Sequence, residues 1–147
     1  MYKSILVPLD GSSRAERILP HIEDLARSLN AQLIFLRVAE IDHYSYELND
    51  AFVSLNIELA NKSLEEARNY LDGIRGEFRI KGIQARSIVA SGPVVKNILH
   101  IAESENVDLI AMASHGHTGL NRVFYGSVAA GVLHSSEKPL LLIRAVG

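Results

Sequence analysis

Five short runs of the chain are rich in β-branched and aliphatic residues: Ile5–Leu9, Gln32–Val38, Ile83–Ala90, Asp108–Ala113 and Leu140–Ile143. The first, fourth and fifth are almost continuously apolar rather than alternating. Strands covered on both faces, as in a parallel sheet between helices, carry that pattern. The segments between the runs have helical spacing. Ile18, Ile22, Leu25 and Leu29 recur at four, three and four residues; Leu64, Ala67, Leu71, Ile74 and Phe78 recur at three, four, three and four. Val95, Ile98, Leu99 and Ala102 repeat the stripe, and a short fourth helix is expected from about Ser127 to His134. The order β-α-β-α-β-α-β-α-β predicts an α/β fold, a doubly wound, five-stranded parallel sheet with helices on both faces.

Local chemistry marks several boundaries. Ser12 or Ser13 can cap the first helix, and Gly92-Pro93 opens the third with proline at its first turn. Pro20 conflicts with an uninterrupted first helix, because it removes a backbone donor and crowds the preceding turn. Either that helix begins later than Ser13 or it kinks near Pro20. The stretch Asp42–Asn49 has no clean period and is expected to be a loop.

Composition narrows the class. The 147 residues suit one domain spanning 1–147, and 48% hydrophobic content excludes wholesale disorder. Fifteen basic and 17 acidic residues leave a net charge of -2, which gives no broad footprint for nucleic acid. The chain has no cysteine, so disulfide scaffolds, thiolate zinc sites and thiol catalysis drop out. The start of the chain has no signal-peptide apolar stretch, and no window approaches the roughly 18 apolar residues of a membrane span. A soluble, cytoplasmic protein without membrane insertion is the expectation.

Ligands of doubly wound sheets bind beyond the carboxyl ends of the strands, where strand order reverses. Two segments leave strands at that edge with unusual composition: Pro8-Leu9-Asp10-Gly11-Ser12 and the stretch Ser114–Ser127. The second carries Gly116, Gly119 and Gly126 and ends in Gly-Ser at an expected helix start. Backbone amides without a Cβ shield approach anions closely, and a helix N-terminus adds orphan donors and a favourable dipole. Phosphate is the natural occupant, although glycines that merely allow turns and a serine that merely caps a helix fit the same letters. There is no GxxxxGK(S/T) loop and no GxGxxG after the first strand, so a P-loop and an ordinary dinucleotide site are excluded.

The residues Met112-Ala113-Ser114-His115-Gly116, Gly126-Ser127-Val128 and Lys138-Pro139-Leu140-Leu141-Leu142-Ile143 resemble the universal stress protein family, as does the opening Ile5-Leu6-Val7-Pro8-Leu9-Asp10-Gly11-Ser12. The resemblance covers essentially the whole chain and implies a Rossmann-like, adenine nucleotide alpha hydrolase-like fold. The nucleotide-binding branch of that family carries GxxGx9G followed by Ser or Thr. Gly116, Gly126 and Ser127 match, while Ala113 stands at the first glycine. The resemblance implies Pro8, Asp10 and Val38 near adenine and ribose. It implies a phosphate cradle from Ala113, His115, Gly116, His117, Gly119, Gly126, Ser127 and Val128. ATP, with Mg²⁺ bridging its phosphates, is the implied ligand, and the last strand is implied to lie at a sheet edge. An exposed aliphatic edge invites antiparallel pairing of two copies into a homodimer. Asp10 also has a plain reading as a turn residue beside glycine, against which its strand-edge position favours the ligand.

Enzyme readings find less support. Ser127, His115 and Asp10 are the residue types of a hydrolytic triad, but no GxSxG surrounds any serine. The His115-x-His117 pair has no evident third metal ligand, so no protein metal site is expected. No base for activating water and no lysine over the phosphates is identifiable, so hydrolysis should be slow at most. An ATP-binding regulatory stress-response protein is the leading reading. A universal-stress-type interaction module without nucleotide, and a slow ATPase or phosphotransferase, are the alternatives.

Overall fold

The computed structural model describes residues 1–40, 50–114 and 126–145. Five strands form one parallel sheet: β1 (Ser4–Leu9), β2 (Gln32–Ala39), β3 (Ala85–Ser91), β4 (Leu109–Ser114) and β5 (Leu140–Arg144). Their order is β3-β2-β1-β4-β5, so β1 lies centrally and the direction of winding reverses between β1 and β4. Among the described residues four α-helices connect them: α1 (Leu19–Leu29), α2 (Asp50–Ile80), α3 (Val94–Ser104) and α4 (Ser127–Ser135). No helix among the described residues is long and apolar enough to cross a membrane.

The continuous apolar runs follow from coverage of both faces. Alternate residues of a strand point to opposite sides. Ile5, Val7, Leu33 and Phe35 join Ile22, Leu71 and Phe78 in a core under α1 and α2. Their neighbours Leu6, Ile34, Leu36 and Ile110 join Ile98, Ala102, Ala129 and Val132 in a second core under α3 and α4. β1 and β4 are buried along nearly their whole length. β5 departs from that expectation: its residues are half-buried to exposed, because it is an edge strand paired only with β4.

The helix ends resolve the conflicts in the sequence. A 3₁₀ turn, Ala15–Ile18, precedes α1, and the helix proper begins at Leu19, placing Pro20 in the first turn, where its missing donor leaves no bond unmade. The helix therefore starts late. Ser12 caps the 3₁₀ turn, its Oγ accepting from the Ala15 amide at 3.1 Å. Pro93 is the residue before α3 rather than in its first turn, with extended backbone (ψ 130°). Ile83 lies outside β3: its amide donates to the Phe78 carbonyl and that of Gly82 to Arg79, closing α2 with a hydrophobic contact between Ile83 and Phe78. α2 is 31 residues long and begins well before the apolar stripe that starts at Leu64. Its early apolar residues, Val53, Leu55, Ile57 and Leu59, are 43–56% exposed. Spaced by two, they carry no helical stripe to read.

One sequence feature opens the sheet. The β1–β4 ladder pairs Ile5 with Leu109 and Leu6 with Ile110, and stops there, although the strands continue to Leu9 and Ser114. The Ser4 carbonyl accepts from the Asp108 amide at 2.8 Å, so Ser4 turns its backbone groups towards β4. The alternation of a parallel strand puts Leu6 and residue 8 on that same side. Residue 8 is proline and has no N–H to donate, so the next rung cannot form. At the other end, the Lys3 and Ser4 amides donate to Asp108 Oδ2 at 2.8 and 3.0 Å and hold the strands together. The strands are thus pinned at their amino ends and free to part at their carboxyl ends.

Candidate functional site

A cavity of about 380 Å³ occupies that parting. This is within the size range of small-molecule sites, and it lies at the switch point where such folds bind ligands. Pro8 and Asp10 line it from β1 and its exit, Val38 from β2, Ala113 from β4, and Gly126 and Val128 from the start of α4. The structure thus brings together six of the positions singled out in the sequence. Ser127 stands in the first turn of α4, exposed and outside the lining. His115, Gly116, His117 and Gly119 lie outside the described residues, as does the expected loop Asp42–Asn49.

The cavity has three chemically distinct walls. Leu36 and Val38, on the same face of β2, meet Val94, Ile98 and Met112 to form an apolar slot. Opposite the slot, the turn after β1 presents a fixed carboxylate. Gly11 has φ +85°, a conformation that side chains resist, and a Cβ there would come within 3.2 Å of the Arg37 guanidinium. Asp10 Oδ1 accepts from the Ser12 amide at 2.9 Å and from the Ser12 hydroxyl at 2.5 Å, while Oδ2 faces Arg14 at 3.4 Å. Partial burial pushes the carboxyl pKa up, but the Ser12 hydrogen bonds and the Arg14 and Arg37 charges outweigh it, and the net direction is down. Asp10 is therefore anionic at neutral pH.

The third wall is the N-terminus of α4. Gly126 precedes the helix with φ +79° and ψ 156°, a region essentially reserved for glycine, and as N-cap residue it has no side chain with which to cap the helix. The Gly126 carbonyl accepts from the Ala130 amide at 2.9 Å, starting the helical ladder. The amides of Ser127, Val128 and Ala129 have no partners within the helix, as at any helix start. A helix N-terminus with glycine as its N-cap residue has the donors and the dipole that suit an anion. Ala113 sits inside the extended β4, so its backbone has no need of glycine, and its methyl belongs to the cavity wall.

The sequence reading passed over several lining residues: Arg14, Arg37, Glu40 and Ser63 are polar examples. Arg14 lies four residues beyond Asp10, a spacing that could have drawn attention. Arg37 pairs with Leu9 in the β1–β2 register and lies over the Tyr70 ring at 5.9 Å, contacts that exist only in the folded sheet. Burial, then the Glu16 charge, pushes the Tyr70 hydroxyl up to about 12, so it stays neutral beside the site. Among the described residues no cluster of three or more His, Asp or Glu could hold a metal ion.

Comparison with known proteins identifies the architecture. Residues 1–144 match the family model described as the Universal stress protein family. The chain belongs to that family. It is 35% identical to the universal stress protein MJ0577 of Methanocaldococcus jannaschii, the match covering 98% of this chain and 96% of that protein. The solved structure of MJ0577 superposes with a TM-score of 0.83 over 98% of this chain and 96% of its own. Two more distant structures of universal stress proteins, each 20% identical with a TM-score of 0.60, share the fold. One is a complex with cAMP and covers 98% of both chains. The other, from Archaeoglobus fulgidus, is a complex with dAMP and covers 97% of this chain and 98% of its own.

Proposed function

We propose that this universal stress protein is a regulatory protein that binds an adenine nucleotide reversibly, ATP above all, in the cavity between β1 and β4. The observation that carries the reading is the order of the three walls. An apolar slot suits a purine, the Asp10 carboxylate suits ribose hydroxyls, and the α4 start behind Gly126 suits phosphate. The complexes of relatives with cAMP and dAMP support the adenine class. Mg²⁺ fits as a bridge between phosphate oxygens, since it keeps most of its waters and needs few protein ligands. That suits a site without a carboxylate–histidine cluster among the described residues. Asp10, the hydrogen-bonded carboxylate of the lining, is assigned to the ribose rather than to a water, so any hydrolysis is a slow side reaction. Mg-ATP at millimolar concentration is expected to raise the thermal midpoint of the protein. Absence of any shift defeats the reading.

Assembly through β5 belongs to the same proposal. β5 is an edge of the sheet, and its aliphatic residues Leu140–Ile143 are only half-buried. Antiparallel pairing with the β5 of a second copy would satisfy the open backbone groups and close a two-fold dimer. Sedimentation at micromolar concentration is expected to give twice the chain mass of 16.2 kDa. A monomeric mass overturns this part without touching the ligand site.

A further inference from the structure

We infer that Ser12 and Arg14 make the site selective for ribonucleotides over deoxyribonucleotides, with Arg14 acting as a positioning residue for Asp10. The inference rests on the proposed nucleotide site and adds to it which sugar the site accepts and which side chains enforce the choice. A free aspartate on a turn rotates among several rotamers, and a carboxylate that must meet a vicinal diol loses affinity for every rotamer it must abandon. Asp10 is not free. Both Ser12 donors converge on Oδ1, at 2.9 Å from the amide and 2.5 Å from the hydroxyl. Ser12 is itself held, because its Oγ also accepts from the Ala15 amide at 3.1 Å.

These bonds leave Oδ2 as the oxygen available to a ligand. Its partner is the Arg14 guanidinium at 3.4 Å, a long contact on an oxygen with two lone pairs. Arg14 lines the cavity beside Asp10 and is one-third exposed. An incoming ribose can therefore donate to Oδ2 without displacing either Ser12 or Arg14. The arrangement holds the carboxylate plane and keeps the group anionic while it accepts. The Asp10 side chain is 56% exposed, so discrimination arises when a bound nucleotide covers it: an analogue without the hydroxyls then shields the carboxylate from water and leaves it unpaired. The same geometry predicts little effect of Arg14 on a ligand with no ribose hydroxyls.

The test compares ATP with 2′,3′-dideoxy-ATP, titrated calorimetrically into the wild-type chain and into Arg14→Gln and Arg14→Lys. The wild type is expected to prefer ATP by tenfold or more. Arg14→Gln is expected to weaken ATP about five- to tenfold, leave dideoxy-ATP within twofold and so collapse the preference. Arg14→Lys should recover at least half of it on a logarithmic scale. Wild-type protein that binds both nucleotides equally overturns the inference while leaving the nucleotide site intact. So does an Arg14→Gln protein that keeps the full preference, loses both ligands in proportion or binds ATP more tightly. Wild-type protein that binds neither nucleotide removes the underlying site and the inference with it.

Discussion

Gly126→Val is expected to weaken ATP binding by about two to four orders of magnitude. Gly126 is the N-cap residue of α4, whose first amides are the donors to phosphate in the proposed site. In the proposed site a branched Cβ there fills the volume through which a phosphate oxygen approaches. Two charge-assisted hydrogen bonds lost amount to roughly 3–6 kcal/mol, which sets the expected factor. The backbone at Gly126, φ +79° and ψ 156°, also resists a side chain, so the variant should lose about 1–3 kcal/mol of folding stability. The affinity loss exceeds the stability loss if the amides hold phosphate. Denaturant titration and ATP titration of the same preparation separate the two. A folded Gly126→Val protein with wild-type affinity places the phosphates elsewhere.

Phe35→Ala is expected to cost about 3–5 kcal/mol of folding stability, a large share of the roughly 5–15 kcal/mol that a domain possesses. Phe35 is fully buried and its ring lies 5.1 Å from that of Phe78, tilted by 58°. Truncation leaves a cavity under α2 and removes the aromatic pair. Its neighbour Ile34 is equally buried but faces α3 and α4. Ile34→Ala is expected to cost about 2–5 kcal/mol from the opposite side of the same strand. Urea unfolding monitored by circular dichroism reads both. A substantial loss from one substitution and less than about 1 kcal/mol from the other would contradict the two-sided core.

That two-sided burial is why so much of the fold was legible in the sequence. A strand with both faces covered has no polar positions to alternate, and β1 and β4 carry the signature without interruption. The first half of α2 was not legible, because a helix that buries no continuous stripe leaves no period. Val53, Leu55, Ile57 and Leu59 remain largely exposed. Ile83 opens a run rich in β-branched and aliphatic residues and so reads as strand, but a residue that closes a helix onto its own core is equally apolar.

The site divides along a similar line. Asp10 and Gly126 were visible because strand ends and helix starts lie where the topology puts ligands, and Val38 only as a position that the family resemblance implies. Arg14, Arg37 and Ser63 come from three different elements, and their convergence depends on the β1–β2 register and on where α2 passes. Pro8 was visible as part of the segment leaving the first strand and as a family position. Its effect on the sheet emerged once the side on which residue 8 faces β4 was known, since the same proline facing β2 would have broken a different ladder.

Nucleotide binding itself is tested most directly by whether the purified protein carries an adenine nucleotide. Purified protein, heat-denatured and cleared by filtration, is expected to release an adenine nucleotide detectable by mass spectrometry. Protein stripped of that ligand should rebind added Mg-ATP with measurable heat and one site per chain. Protein that releases no adenine nucleotide and gives no heat with millimolar Mg-ATP would contradict the account.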